Sequence, residues 1–156
     1  NFGLSDVLRG NWREIQEVSG KRFNYQILDN MEVILDSEPA SRATKIVRSM
    51  NPAKEFDFFK MVQQSFYMNN NDLNNIDTYL TILEKLRIDK DHFALAFNSP
   101  EMNYAVKSEF QTAARMGVNT FPTLLLMKDG EYFQVSKGFT TAEKIISRVR
   151  NVIRRK

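Results

Sequence analysis

The stretch "GVNTFPTLLLMKDGE", residues 117–131, decides the fold because it joins a helix stop, a proline and an apolar strand. Apolar side chains fill consecutive positions from Leu124 to Met127, a pattern typical of a strand that is covered on both faces. Asp129 and Gly130 are a two-residue turn signal, and "YFQVSKG" after them has the pattern of a returning antiparallel strand. The sequence therefore predicts a β-hairpin with a proline just before its first strand.

Helical periodicity covers most of the chain before this stretch. The first amphipathic segment has Ser5 as its predicted N-cap and Gly20 as its end. A second segment places Pro39 in a first helical turn, which accepts proline, and ends before Pro52. Further helices are predicted over residues 53–68, 76–88, 90–97 and 100–116, the last with Ser99 as its cap.

Two helices carry more specific expectations. In the segment that follows Pro52, Phe56, Phe59 and Phe66 recur at helical spacing, so we expect this aromatic stripe in the core rather than in a cofactor pocket. After the hairpin, Thr140 and Glu143 have the spacing of a capping box. They predict the start of a last helix that packs on the hairpin.

Composition excludes several kinds of site. The chain of 156 residues is 42% apolar, enough for a core, and it contains no cysteine. Disulfides, thiolate zinc sites and a cysteine nucleophile are therefore excluded within these residues. His92 is the sole histidine, and we interpret it as a helix-start residue rather than a metal ligand or a member of a triad. No apolar run approaches the roughly 20 residues of a membrane span, so no membrane partner is predicted.

The end of the chain, "RVRNVIRRK", concentrates the net charge of +3. We interpret it as the end of a helix whose cations complement the helix dipole and stay solvated. A patch for nucleic acid or another anionic surface is the less favoured interpretation, because no aromatic residues interleave the arginines. No nucleic-acid partner is therefore predicted.

The stretch from Gly117 to Glu131, followed by a strand, a glycine and a terminal helix, resembles the second half of a thioredoxin fold. Upstream, "ILDSEPASRA" and "FFKMVQQSFYMNNNDL" are similar to the helical insertion of the DsbA-like branch, which includes FrnE-type proteins and protein disulfide isomerases. The resemblance implies an α/β thioredoxin-like fold with a large helical insertion. It also implies two domains, a helical insertion subdomain over residues 5–116 and the C-terminal half of the thioredoxin-like domain over residues 117–156.

The resemblance assigns a site to the residues around the proline. In the superfamily this proline follows a cis peptide bond beside the active site, which implies that Phe121 presents its backbone outward. Thr120, Phe121 and Pro122 are then the expected substrate-binding residues, pairing with an extended polypeptide as an added strand would. From the local sequence alone, a trans proline at the start of an edge strand is an equally good interpretation.

The departure from the family pattern lies at the start of the chain. Family members carry a Cys-x-x-Cys pair at the start of a helix after their first strand, and this sequence has no counterpart of that strand, that helix or the next strand. We therefore expect the fold to be incomplete at the N-terminus, and Asn1 in place of methionine predicts a longer gene product. The hairpin alone would be marginal, so a preceding segment, or else a second subunit in a dimer, is expected to cover it.

No catalytic residue is predicted in this chain. Ser41 stands where relatives often have another cysteine, but it lacks a histidine base and is expected to pack or to cap. The leading hypothesis is a thiol-disulfide oxidoreductase or isomerase that acts on thiol- or disulfide-containing polypeptides, with its cysteines outside this chain and no cofactor. The alternative is a redox-inert, thioredoxin-like peptide-binding module, or a relative that uses glutathione, similar to the kappa-type transferases and chromene-carboxylate isomerases. The lack of structural cysteines favours the cytoplasm.

Overall fold

The computed structural model describes residues 2–155, with side chains from Ser5 to Arg155. Within this range the chain forms seven α-helices, two short 3-10 helices and one two-stranded antiparallel sheet, in line with the predicted α/β thioredoxin-like class. The helices are α1 (Phe2–Ser19), α2 (Glu38–Met50), α3 (Glu55–Tyr67), α4 (Ile76–Leu86), α5 (Lys90–Phe97), α6 (Pro100–Arg115) and α7 (Ala142–Arg154). The strands are β1 (Thr123–Lys128) and β2 (Glu131–Lys137), and the 3-10 helices span Tyr25–Asp29 and Pro52–Lys54.

The chain divides into two compact units, one that ends at Lys107 and one that begins at Ser108. The first unit is helical, and residues 40–110 contain no strand, as the resemblance predicts for a helical insertion. The second unit contains the end of α6, the hairpin and α7. The division lies within α6, whereas the predicted domain boundary at residues 116 and 117 lies just after that helix.

The core of the helical unit lies among α2, α3, α4 and α5. Its centre is a group of aromatic rings, and Phe93 packs against Phe58, Tyr79 and Phe97 at centroid distances of 6.4, 6.3 and 5.6 Å. The hydroxyl of Tyr79 donates to the carbonyl of Leu73, and burial raises the pKa of this phenol. The aliphatic members of the cluster are Ala43, Ile46, Val47, Val62, Ile82, Leu83 and Ile88.

A second cluster in the same unit surrounds Trp12 of α1. Four aromatic rings lie 5.1 to 5.9 Å from the indole, centroid to centroid. Two come from the segment after α1 and two from the end of α3, so the cluster fastens α1 to α3. Burial here raises the pKa of Tyr67. The four residues are Phe23, Tyr25, Phe66 and Tyr67.

Most helix boundaries follow the predicted start and stop signals. Pro39 lies in the first turn of α2, as predicted. The Asp89 carboxylate, which was not predicted as a cap, caps α5 by accepting the backbone N–H of Asp91 and of His92. The hydroxyl of Ser99 accepts the N–H of Met102 at the start of α6. These caps satisfy N–H groups that have no partner inside the helix, which is why the boundaries were readable from sequence.

Three local predictions are wrong. The backbone before Ser5 is already helical, so Ser5 lies within α1 and does not cap it. The N-cap of α7 is Thr141 rather than Thr140, which moves Glu143 from the third to the second helical position. In α3 the fully buried aromatic is Phe58, and of the predicted stripe Phe56 and Phe59 are exposed while only Phe66 packs in a core cluster. Aromatic residues occupy both faces of this helix, so periodicity alone did not select the face that packs.

The hairpin itself forms as predicted. Asp129 and Gly130 have φ angles of 53° and 84°, the left-handed conformation that a two-residue hairpin turn requires. The register pairs Leu126 with Phe133, and a bulge separates Leu124 from Leu125. The expectation that both faces of β1 are covered does not hold among the described residues, because the side chains of Leu124 and of Met127, the latter 64% accessible, remain exposed.

Helix α7 covers one face of the hairpin. Val152 is buried, and its carbonyl accepts a hydrogen bond from the ammonium group of Lys128 at 3.5 Å. Elsewhere along α7, the guanidinium of Arg148 donates a hydrogen bond to the carbonyl of Val135 in β2 at 3.1 Å. Two long cationic side chains therefore attach α7 to the hairpin through backbone carbonyls.

Candidate functional site

The loop between α6 and β1 begins at a helix end fixed by glycine. Gly117 has a φ of +76°, a conformation that costs a glycine little, and its N–H donates to the carbonyl of Ala114 at 2.9 Å. The next N–H, of Val118, donates to the carbonyl of Ala113 at 3.0 Å. These bonds end α6 and direct the chain into the loop that precedes Pro122.

Two hydrogen bonds hold the loop on either side of Phe121. The hydroxyl of Thr123 donates to the carbonyl of Thr120 at 2.6 Å, and the N–H of Gly138 donates to the carbonyl of Pro122 at 2.8 Å. The peptide bond between Phe121 and Pro122 is cis, as the resemblance implied. The loop is thus fastened to the start of β1 and to the end of β2.

Phe121 is the residue that this arrangement leaves open. Among the described residues, neither its N–H nor its carbonyl makes a hydrogen bond. Its side chain is 78% exposed. Because backbone groups that lack a protein partner must bind water or a ligand, Phe121 presents one donor and one acceptor to an incoming chain.

The three predicted site residues are contiguous, but their backbone groups differ in whether they make hydrogen bonds. The carbonyls of Thr120 and Pro122 are already engaged, and the Thr120 hydroxyl donates to the side-chain oxygen of Asn119 at 3.2 Å. Only Phe121 of the three has both backbone groups unpaired within residues 2–155. The unpaired backbone donor and acceptor therefore both belong to Phe121, and hydrogen bonds of its two neighbours hold the loop in position.

Sequence reasoning missed one residue beside this loop. Phe139 directly follows Gly138, the residue that bonds Pro122, and its side chain is 55% exposed. Gly138 has a φ of +71°, which turns the chain as it leaves β2. An aromatic residue after a glycine at a strand end was the available signal. Its meaning depended on the bond to Pro122, which joins positions 16 residues apart.

The described residues provide no alternative chemical centre. The hydroxyl of Ser41 donates to the carbonyl of Ser37 at 2.9 Å, a bond to the backbone of its own helix that agrees with the expected packing or capping role. His92 is exposed at the start of α5, as expected. Among the described residues, no group of side chains suits a metal ion, and none of the helices is long and apolar enough to span a bilayer.

Solved structures share this fold. A candidate protein disulfide isomerase from Nitrosomonas europaea matches with a TM-score of 0.90 at 23% identity, over 95% of this chain and 72% of the other. The cytosolic disulfide reductase DsbM from Pseudomonas aeruginosa matches with a TM-score of 0.80 at 19% identity, over 97% of this chain and 78% of DsbM. A structure of DsbM with GSH gives a TM-score of 0.72 at 14% identity, over 91% and 73% of the two chains.

Sequence comparison adds a relative and a family. The ClpXP adapter protein SpxH of Bacillus licheniformis is 25% identical over 104 residues, which cover 65% of this chain and 35% of SpxH. The chain thus matches about a third of the length of that relative. The family profile described as Thioredoxin matches residues 1–141, most of the sequence. The chain belongs to the thioredoxin family.

Proposed function

We propose that this chain is part of a thiol-disulfide oxidoreductase or protein disulfide isomerase of DsbA-like type, whose nucleophilic cysteines lie outside the chain. The observation that carries the proposal is the unpaired backbone of Phe121 beside Pro122. The fold shared with a disulfide reductase and a candidate disulfide isomerase supports it. The chemistry requires a thiolate that attacks a disulfide sulfur, and serine cannot replace it near neutral pH without a positioned base.

In this proposal Thr120, Phe121 and Pro122 bind the substrate rather than transform it. The N–H and carbonyl of Phe121 pair with an extended segment of a thiol- or disulfide-containing polypeptide, as an added β-strand would. The exposed rings of Phe121 and Phe139 give this edge apolar side chains beside its backbone groups. Main-chain pairing supplies affinity for many sequences, which suits an enzyme that acts on varied polypeptides.

A second candidate is a redox-inert binding module. The sequence contains no cysteine, and the relative SpxH is named as an adapter protein, not an enzyme. The same Phe121 edge would then hold a partner polypeptide without exchanging disulfides. The alternative also includes a protein that uses glutathione. The similarity to the structure of DsbM with GSH supports this form of the alternative.

We also propose that the protein works in the cytoplasm. The name of the neighbour DsbM, a cytosolic disulfide reductase, supports this assignment. The absence of cysteine from the chain agrees with a compartment where disulfides do not stabilise folds.

One assay distinguishes the enzymatic function from the binding module. The first step is to sequence the gene upstream of the Asn1 codon. We expect it to encode a short apolar strand followed by a Cys-x-x-Cys motif. The full gene product should then reduce insulin or reactivate scrambled ribonuclease, and a variant with serines at both cysteines should not. A full gene product without the cysteine pair contradicts the enzymatic function and favours the binding module.

Binding at Phe121 is measured separately, on the present chain. Titration of the ¹⁵N-labelled protein with S-carboxymethylated insulin B chain, which has no free thiol, should shift the amide resonance of Phe121 most. Phe121→Ala should weaken binding about tenfold, the usual cost of losing a central aromatic contact. Tyr132→Ala removes another exposed aromatic side chain of the same unit and should leave the affinity unchanged. Equal losses in both variants would show that the peptide does not bind at this edge.

A further inference from the structure

Helix α7 has a second face that the hairpin does not use. Its inner side chains, Ile145, Val149 and Val152, are half-buried or buried. Its outer face forms a shallow, open groove along the helix axis. The groove is lined by Glu143, Ile146, Ser147, Arg150, Asn151 and Arg154.

The arginines of α7 and its C-cap fall into two pairs. Arg148 donates to the carbonyl of Val135, and the guanidinium of Arg155 lies 5.8 Å from the centre of the Phe133 ring. Arg150 and Arg154, both in the groove, make no hydrogen bond or ion pair with any described residue. They lie one helical turn apart, where like charges slightly destabilise a helix. Two cations are therefore exposed side by side without a partner in the described part of the chain.

Apolar side chains border these arginines. Ile146 is 48% exposed and Ile153 is 60% exposed. Seven residues separate them, so they lie on the same side of α7 about 10 Å apart along its axis. The outer face of α7 thus places two exposed apolar side chains, Ile146 in the groove and Ile153 beside it, next to two arginines.

The charge reverses at the other end of the groove. Glu143 lies in the first turn of α7, where its own backbone N–H and the side chain of Thr141 lower the pKa of its carboxyl group. The groove is therefore negative at its start and positive from Arg150 onward. Beyond Lys107 the sequence has nine lysines and arginines against four aspartates and glutamates, so the surrounding field is positive as well.

We propose that the outer face of α7 binds an acidic peptide segment of a partner protein that carries large apolar side chains. Its carboxylates pair with Arg150 and Arg154, its apolar side chains contact Ile146 and Ile153, and a residue without negative charge lies opposite Glu143. Charge-assisted pairs between guanidinium and carboxylate groups are the stronger hydrogen bonds, and the reversal at Glu143 sets the direction of the peptide. This inference is independent of the Phe121 edge.

Other polyanions fit the groove less well. A nucleic acid would place phosphates beside Glu143 and would find no aromatic residue among the groove residues on which to stack a base. A lipid surface would have to accept the polar side chains of Glu143, Ser147 and Asn151 beside Ile146. A membrane-surface helix instead presents a continuous apolar face.

The test uses a labelled peptide and matched variants of the full chain. The peptide is a fluorescein-labelled twelve-residue sequence of glutamate, leucine and serine, and its binding is followed by fluorescence anisotropy at low salt. We expect Arg150→Gln with Arg154→Gln to weaken binding about tenfold or more. Ile146→Ser should weaken it several-fold, whereas Lys144→Gln, on the same helix but outside the groove, should change it less than about twofold. Circular dichroism verifies that each variant keeps its helical content.

Three controls decide between ligands. A peptide with glutamine in place of glutamate should lose most of its affinity, and so should a peptide with serine in place of leucine. Vesicles of phosphatidylserine and phosphatidylcholine and a twelve-nucleotide single-stranded DNA should bind more weakly than the acidic peptide. Tighter binding of the vesicles or the DNA would overturn the proposal. Equal effects of Lys144→Gln and of the double arginine variant would also overturn it, as would a failure of the acidic peptide to bind.

Discussion

The two compact units bury their apolar residues to very different degrees. The helical unit encloses a core in which Phe58, Tyr79 and Phe93 are inaccessible to solvent. Among the described residues of the second unit, only Val135, Ser136 and Val152 are buried. The difference follows from the elements available, because four helices can surround a core while a two-stranded sheet with one helix covers only one face.

The exposed residues of the second unit are where binding is proposed. Phe121 and Phe139 flank the loop before β1, and Ile146 and Ile153 line the outer face of α7. A unit whose core is small must leave apolar side chains at its surface, and these become available to other chains. The helical unit has a closed aromatic core, and both proposed binding sites lie in the unit that lacks one.

The largest expected effect is in the aromatic core. Phe93→Ala should lower the free energy of unfolding by about 3–5 kcal/mol, since it leaves a cavity among three other rings. Met127→Ala removes a comparable apolar side chain from the exposed face of the hairpin and should cost less than about 1 kcal/mol. Urea unfolding followed by circular dichroism measures both. Similar losses would show that the two units do not differ as their burial indicates.

This contrast also explains what could be predicted from sequence. Caps and breakers such as Pro39, Ser99 and Gly117 act through local backbone chemistry, so the helix boundaries they set were predictable from sequence. The turn at Asp129 and Gly130 was readable for the same reason. The buried face of α3 was not, because Phe56, Phe58 and Phe59 offer apolar side chains in every direction and only tertiary packing selects among them.

The candidate site also has features that could be predicted from sequence and features that could not. Thr120, Phe121 and Pro122 came from the resemblance to a family, and the cis bond agrees with it. The free backbone of Phe121 was visible only in the hydrogen-bond pattern. The proximity of Gly138 to Pro122, and with it the exposed ring of Phe139, required the bulged register of β1 and β2, which no local pattern encodes.

A second, smaller effect tests the polar contact inside the helical core. Tyr79→Phe removes the donor to the Leu73 carbonyl and should cost about 1–2 kcal/mol at neutral pH. Burial raises the pKa of Tyr79, so the folded protein keeps this proton above pH 10 while the unfolded chain releases it. This contribution to stability is present below the unfolded pKa of about 10 and is lost as pH rises above it.

The pH dependence separates this phenol from other groups. Urea midpoints of the wild type and of Tyr79→Phe are compared from pH 8 to pH 11, and the difference between them should shrink as pH rises. Groups common to both proteins cancel in that difference. A constant difference over this range would mean that the Tyr79 hydroxyl is not retained in its protonated form by burial.

A third expected effect, similar in size to that of Tyr79→Phe, lies in the turn of the hairpin. Gly130 has a φ of 84°, and a methyl group there would meet no atom within 4 Å, so Gly130→Ala acts through backbone strain alone. It should cost about 1–2 kcal/mol, while Asp129→Asn, which tolerates the same left-handed conformation, should cost less than about 0.5 kcal/mol. Amide hydrogen exchange reports each unit separately. For Gly130→Ala, exchange at Leu126 and Phe133 should accelerate about 5- to 30-fold, and exchange at Ile82 and Leu83 in α4 should not change. Equal acceleration in α4 would show that the two units unfold together and would contradict the contrast drawn between their cores.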